Sequence, residues 1–265
     1  MIIWRDGEFM SEDQAGPSLA DRGFLLGDGL FETLRISDGV VQRPQAHANR
    51  LARSRKHLGL EAGVHPLDIP AIGMELAARN GLTSAAMRIT LTRGAGARGL
   101  AVTGEEEPST WMSVSMLAPP PETIRLATSS VKRDPTSFAA RHKTLSYIDN
   151  IAARAEAQRN GADMALMLTG DGRLSCADCA NLFWMRRGKL YTPDLGCAVL
   201  PGTVRKALTK ALPVVEGDYR PDVLEEAELV FVTNALLGAV AVSELDGGEI
   251  ASAPDMIGAL RAALG

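Results

Sequence analysis

Lys143 lies in the run RHKTLSY (141–147), where a loop enters a helix. A lysine so placed can condense with an aldehyde if burial or neighbouring cations lower its pKa. The chain offers few alternatives, since its six lysines are Lys56, Lys132, Lys143, Lys189, Lys206 and Lys210, and every other basic residue is arginine. Read alone, a lysine ahead of a helix is a solvated surface residue. Two later segments carry donors suited to an anion. In LPGTVR (200–205), Gly202 precedes helix-forming residues, and a helix start presents backbone N–H groups without intrahelical partners. In VTNAL (232–236), the Thr233 hydroxyl and the following amides add further donors. Each also has an ordinary reading, as a Pro-Gly helix entry and as a polar turn.

Cys176 and Cys179 spell C-x-x-C, with Cys197 as a possible third sulfur ligand. A zinc site needs four ligands and a thioredoxin-like pair needs a strand leading into a helix. The four histidines are scattered and that setting is missing, so small packing residues are expected here and no metal. The stretch DRGFLLGDGLFET (21–33) packs three glycines, two aspartates and an arginine ahead of a strand, and by composition alone it is a complicated loop.

The elements that must position these residues are legible in outline. A hairpin turns at Asp6-Gly7 between strands over 2–5 and 8–10. A strand over 30–36 turns back at Asp38-Gly39 into 40–42, and Pro44 opens a helix to Leu58. A second helix is expected over 67–79 and buried strands over 87–92 and 110–117. The connection 93–107 carries four glycines and is expected to be a functional loop. Pro119 to Pro121 stiffen the backbone. They suggest a smaller N-terminal α/β domain over 1–117, a linker over 118–123 and a larger C-terminal domain over 124–265 that carries Lys143. In that second part we expect strands over 124–130, 164–169, 182–185, 189–192, 228–232 and 239–242. Helices are expected over 146–159, 201–212 and 254–264. The mix is α+β, in two lobes.

Bulk properties narrow the class. Hydrophobic residues at 46% and charged residues at 23% support a core. A net charge of −4 argues against nucleic-acid or anionic-membrane partners. No apolar run reaches the ~18 residues of a membrane span, and the N-terminus lacks a signal-peptide pattern. A cytoplasmic protein is expected.

Seven segments in order resemble the class IV aminotransferase family, which includes branched-chain aminotransferases, D-amino-acid aminotransferases and 4-amino-4-deoxychorismate lyases. They are DRGFLLGDGLFETLR (21–35), HANRLARSRKHLGL (47–60), RITLTRGAGARGL (88–100), KTLSYIDNIAARAEA (143–157), NLFWMRRGKLYTP (181–193), LPGTVR (200–205) and VTNAL (232–236). The resemblance implies the two-lobed fold type IV, with pyridoxal 5′-phosphate (PLP) held between the lobes, and a homodimer acting on a small amino-acid-like substrate. It implies that Lys143 forms the Schiff base and shuttles protons. Arg50, Thr203, Val204, Thr233 and Asn234 then bind the cofactor phosphate, and Tyr147 bonds its phenolic oxygen.

Three departures bear on the reaction. The family places a glutamate five residues before the asparagine of its Asn-Leu-Phe motif, facing the pyridine nitrogen, and here that position is Cys176. A thiol is a weak donor where a carboxylate would keep the nitrogen protonated. Either the nitrogen is less protonated here, or Asp178 reaches it through a shifted loop. The Arg-x-His of the D-amino-acid enzymes is Arg98-Gly99-Leu100, and Phe31 replaces a tyrosine of many aminotransferases. Arg98 and Phe31 are therefore the expected substrate contacts. The segments lean towards the lyase, which releases pyruvate and 4-aminobenzoate from 4-amino-4-deoxychorismate. A transaminase of branched-chain or other small amino acids is the alternative, and a degenerate PLP-binding homologue without turnover is the third reading.

Overall fold

The computed structural model describes residues 1–251 and 253–264. Contacts divide the chain into two units, one of Met1–Ala118 with His142–Ser146, the other of Pro119–Arg141 with Tyr147–Gly265. The division falls at the head of the proline run. The lysine-bearing segment, however, groups with the first unit, whereas the sequence reading placed it in the second.

The first unit contains β1 (Ile2–Arg5), β2 (Glu8–Ser11), α1 (Arg22–Leu26), β3 (Gly29–Ser37) and β4 (Val40–Val41). It continues with α2 (Pro44–Leu58), α3 (Ile69–Arg79), β5 (Ala85–Thr92) and β6 (Ser109–Met116). The six strands form one antiparallel sheet in the order β2-β1-β6-β5-β3-β4. Strand side chains alternate between faces. Leu30, Leu34 and Ile36 of β3 therefore join Met87, Ile89, Leu91, Met112 and Val114 in a core with Leu51 of α2 and Leu76 of α3. The other face carries Phe31, Thr33, Arg88, Thr90 and Trp111, aligned across β3, β5 and β6.

Residues 142–146 add to the edge of this sheet. The Phe31 amide donates to the Lys143 carbonyl at 2.8 Å and the Leu145 amide to the Gly29 carbonyl at 3.0 Å. Thr144 bridges Leu30. The extended segment therefore alternates like a strand, with Lys143 on the Phe31 side.

The second unit contains β7 (Thr123–Arg133), α4 (Phe138–Arg141), α5 (Ile148–Arg159), β8 (Met164–Thr169), β9 (Leu174–Ala177) and β10 (Asn181–Arg186). Then follow β11 (Lys189–Pro193), α6 (Thr203–Ala211), β12 (Val214–Gly217), β13 (Leu229–Asn234), β14 (Gly238–Leu245), β15 (Gly248–Glu249) and α7 (Pro254–Leu264). The sheet runs β12-β11-β10-β13-β14-β7-β8-β9, and an added β9–β10 pairing closes β10 through β9 into a ring. Leu166, Leu182, Trp184, Val230, Val232, Val240 and Val242 fill the inside. Outside, Phe183, Phe231 and Ala239 pack with Leu208 of α6 and Ile257 and Leu260 of α7. Ala165 and Met167 pack with Ala153 and Ala157 of α5. Among the described residues no helix is long and apolar enough to cross a membrane.

Candidate active site

In the first unit the Lys143 Nζ stands 4.1 Å from the centroid of the Phe31 ring. The Arg88 guanidinium carbon lies at the same distance from that ring, and its Nε donates to Thr90 Oγ1 at 3.0 Å. Both cations thus meet the electron-rich aromatic ring, on the face of the sheet opposite α2 and α3. Arg88 was not singled out from sequence. Its register opposite Thr33, two positions from Phe31, is what places it there.

On the core face, Glu32 interrupts the apolar alternation of β3 and is 1% exposed. It meets His47 and Arg50, which with Ser54 form one stripe of α2 at spacings of three and four residues. Arg50 donates to Glu32 through Nε at 2.8 Å and Nη2 at 2.5 Å, a bidentate pairing that fixes the plane of its guanidinium. His47 Nδ1 meets the same carboxylate at 2.7 Å. Burial by itself would raise the Glu32 pKa, but Arg50 and His47 outweigh it and bring it down to about 2. Burial pushes His47 below its ordinary value despite the neighbouring Glu32. Next along the stripe, Ser54 Oγ lies 2.9 Å from Nδ1 of His142, the residue before Lys143. Of this cluster sequence reasoning named only Arg50. The signal it passed over was an acid in an apolar strand beside a helix that repeats polar residues on one face.

In the second unit the candidate residues fall on one lateral row. Cys176 pairs with Met167 on one side and Asn181 on the other, Asn181 pairs with Thr233, and Thr233 with Ala239. Residues opposite each other share a face, so the row runs from the α5 cluster to the α6–α7 cluster, with Cys176, Asn181 and Thr233 in the middle. Cys176 is 5% exposed. The Asp178 carboxylate accepts from Arg154 and from the Ala165 amide. Tyr147 precedes α5 and lines an open depression of about 290 Å³ with Asn150, Arg154 and Cys179.

Asn181 Nδ2 donates to the Leu200 carbonyl at 2.9 Å. This ties the start of α6 to the row. A Cβ on Gly202 would come within 2.0 Å of Asn181 Oδ1, so a side chain there would displace the Asn181 amide. Gly202 caps α6 without any side-chain oxygen, and Thr203 and Val204 are buried in its first turn. The Thr233 hydroxyl is buried and has no hydrogen-bond partner. A buried orphan of this kind is costly unless a ligand satisfies it. The side chain of Asn234, by contrast, is spent on its own turn, where Oδ1 accepts from the Leu236 and Leu237 amides. A helix N-terminus without a side-chain cap, an unsatisfied hydroxyl and the oriented guanidinium of Arg50 are each donors that suit a phosphate. By chemical type these groups suit PLP, with a lysine for the aldehyde and a guanidinium for the phosphate in the first unit and further phosphate donors in the second. Arg98 is exposed on the glycine loop.

The profile of "Amino-transferase class IV" matches residues 29–245. A putative branched-chain-amino-acid aminotransferase of Methanocaldococcus jannaschii is 31% identical over 93% of this chain and 88% of its own. The aminodeoxychorismate lyase of Bacillus subtilis is 27% identical over 92% and 87%. A solved branched-chain amino acid aminotransferase complexed with N-(5′-phosphopyridoxyl)-L-glutamate, from the organism abbreviated T.th., superposes with a TM-score of 0.88 at 25% identity, over 99% of this chain and 92% of that one. With a family profile spanning most of its length and a relative at 31% identity, the chain belongs to the class IV aminotransferase family of fold-type IV, PLP-dependent enzymes.

Proposed function

We propose that this enzyme is a lyase that converts 4-amino-4-deoxychorismate into 4-aminobenzoate and pyruvate. The observation that carries the reading is Cys176, a buried thiol in register with Asn181 and Thr233 where the family has a carboxylate. PLP, when bound, supplies the electron sink for the carbon that loses a proton. A carboxylate at the pyridine nitrogen strengthens that sink, and transamination relies on it throughout. An elimination that ends in an aromatic ring asks less of it, because aromatisation itself drives the breaking of the C–O bond to the enolpyruvyl group.

In this reading Lys143 holds the cofactor and then takes the proton from the carbon that bears the substrate amine. Thr203 and Val204 bind the phosphate through backbone N–H groups, and Thr233 and Arg50 through side chains. Asn234 adds its backbone, and Tyr147 bonds the cofactor's phenolic oxygen. Phe31 forms an apolar floor beside the lysine, and Arg98 takes a substrate carboxylate. We place the enzyme in the cytoplasm as a homodimer. A transaminase of branched-chain or other small amino acids is the competing reading, favoured by the archaeal relative.

The test supplies aminodeoxychorismate to one sample and an amino donor with 2-oxoglutarate to another. Pyruvate and 4-aminobenzoate from the first support the lyase. Glutamate from the second with nothing from the first contradicts it, and no product from either leaves the degenerate homologue.

A further inference from the structure

The glycine loop that bears Arg98 is held by a buried arginine and its aspartate partner. Arg22, the first residue of α1, is 4% exposed. Its Nε donates to Asp28 Oδ2 at 2.9 Å. Its two terminal nitrogens donate to three consecutive backbone carbonyls, Gly99 at 3.0 Å, Leu100 at 3.1 Å and Ala101 at 3.2 Å. A buried charge needs such full satisfaction, and a planar guanidinium can supply several parallel donors where an ammonium cannot.

Asp28 aims Arg22 and is itself braced. The same Oδ2 accepts from Arg93 Nε at 2.8 Å, and Arg93 reaches the Leu58 and Gly59 carbonyls at the end of α2. Burial works against the Asp28 charge, but Arg93 and Arg22 outweigh it and keep its pKa below the ordinary value. The other limb of the loop is stapled to the same segment. The Arg22 amide donates to the Gly94 carbonyl at 2.8 Å and the Gly96 amide to the Ala20 carbonyl at 3.3 Å. A Cβ on Gly96 would lie 3.0 Å from Arg22 Cδ, so the loop rests on the arginine stem. With 94–96 fixed on one side and 99–101 on the other, Ala97 and Arg98 form a short exposed crest between two anchors.

We infer that Arg22 is a positioning residue for substrate recognition. It sets the loop so that Arg98 is presented in one place, and so governs affinity for a carboxylate-bearing substrate without touching substrate, cofactor or lysine. The inference rests on the proposed role of Arg98.

The experiment compares wild type, Arg22→Lys, Arg98→Ala and the double variant, each loaded with PLP, using whichever substrate the wild type turns over. Lysine keeps the charge beside Asp28 but cannot span three carbonyls. Arg22→Lys is expected to raise KM about tenfold with kcat held within about twofold, from the loss of one or two hydrogen bonds. In the Arg98→Ala background the same change should leave KM nearly unmoved, because the crest no longer carries its cation. Equal KM in Arg22→Lys and wild type overturns the inference, and so does a KM effect that persists without Arg98. A purely structural arginine would lower kcat and thermal stability together. A second arm needs no turnover. Trypsin should cut after Arg98 several-fold faster in Arg22→Lys, and equal rates overturn the inference even if the wild type is inactive on both substrates. That inactivity would instead overturn the proposed function. If Arg22→Lys does not fold, Asp28→Asn leaves the arginine in place but removes the charge that aims it. It should give the same KM-only effect, and its absence overturns the inference.

Discussion

The Thr233 hydroxyl is a buried donor with nothing to bond, and its cost falls on the protein without cofactor. Thr233→Val keeps the shape and removes the orphan. The apo protein should gain up to about 1 kcal/mol in a denaturation experiment, while PLP binds roughly tenfold more weakly in a fluorescence titration. Equal losses in both would mean that the hydroxyl has a protein partner. Cys176 admits a complementary substitution. Cys176→Glu restores a carboxylate in the row beside Asn181, so the visible absorbance of the loaded enzyme should shift and transamination should rise. No change in either would remove Cys176 from the cofactor. This position was legible from sequence only by counting back from Asn181. Its neighbours across the sheet were not, because they are set by pairings between distant segments.

Elements made from local signals matched the sequence reading best. Pro44 starts α2 and Leu58 ends it, and the Asp-Gly turns lie where expected, at Asp6-Gly7 and Asp38-Gly39. Helix α3 starts at Ile69, two residues later than expected, because Asp68 caps it by accepting from the Ala71 amide. The short β9 and the five-residue α1 were passed over, since four or five residues carry too little periodicity to stand out. The pairing of β3 with α2 through Glu32, His47 and Arg50 was equally silent, and it makes a pH prediction. The folded Glu32 is more acidic than its ordinary 4.5, so its contribution is complete above that pH and is lost as pH falls towards 2. The folded His47 is also shifted down from 6.5, so protonation there favours unfolding as soon as pH drops below that value. The melting temperature should fall from pH 7 to 4, beginning near 6.5, and His47→Gln should remove the upper part of that fall. A flat profile between pH 7 and 5 would contradict the assigned direction. Glu32→Ala should cost about 3–5 kcal/mol, because it leaves Arg50 buried without its carboxylate.

At the scale of the whole molecule, the proline run marked where contacts divide the chain, and the order of seven segments marked the family. Neither showed that the lysine-bearing segment lies along the edge of the first sheet, with Phe31 and Leu145 bonded across it. That placement puts one lysine of six beside an aromatic ring and a second cation. The direct test is to load the purified protein with PLP, reduce it with borohydride, digest it and locate the phosphopyridoxyl group by mass spectrometry. The group should be found on Lys143 alone, and Lys143→Ala should carry none. Labelling of any other lysine, or of the Lys143→Ala protein to the same extent, would contradict Lys143 as the cofactor's lysine.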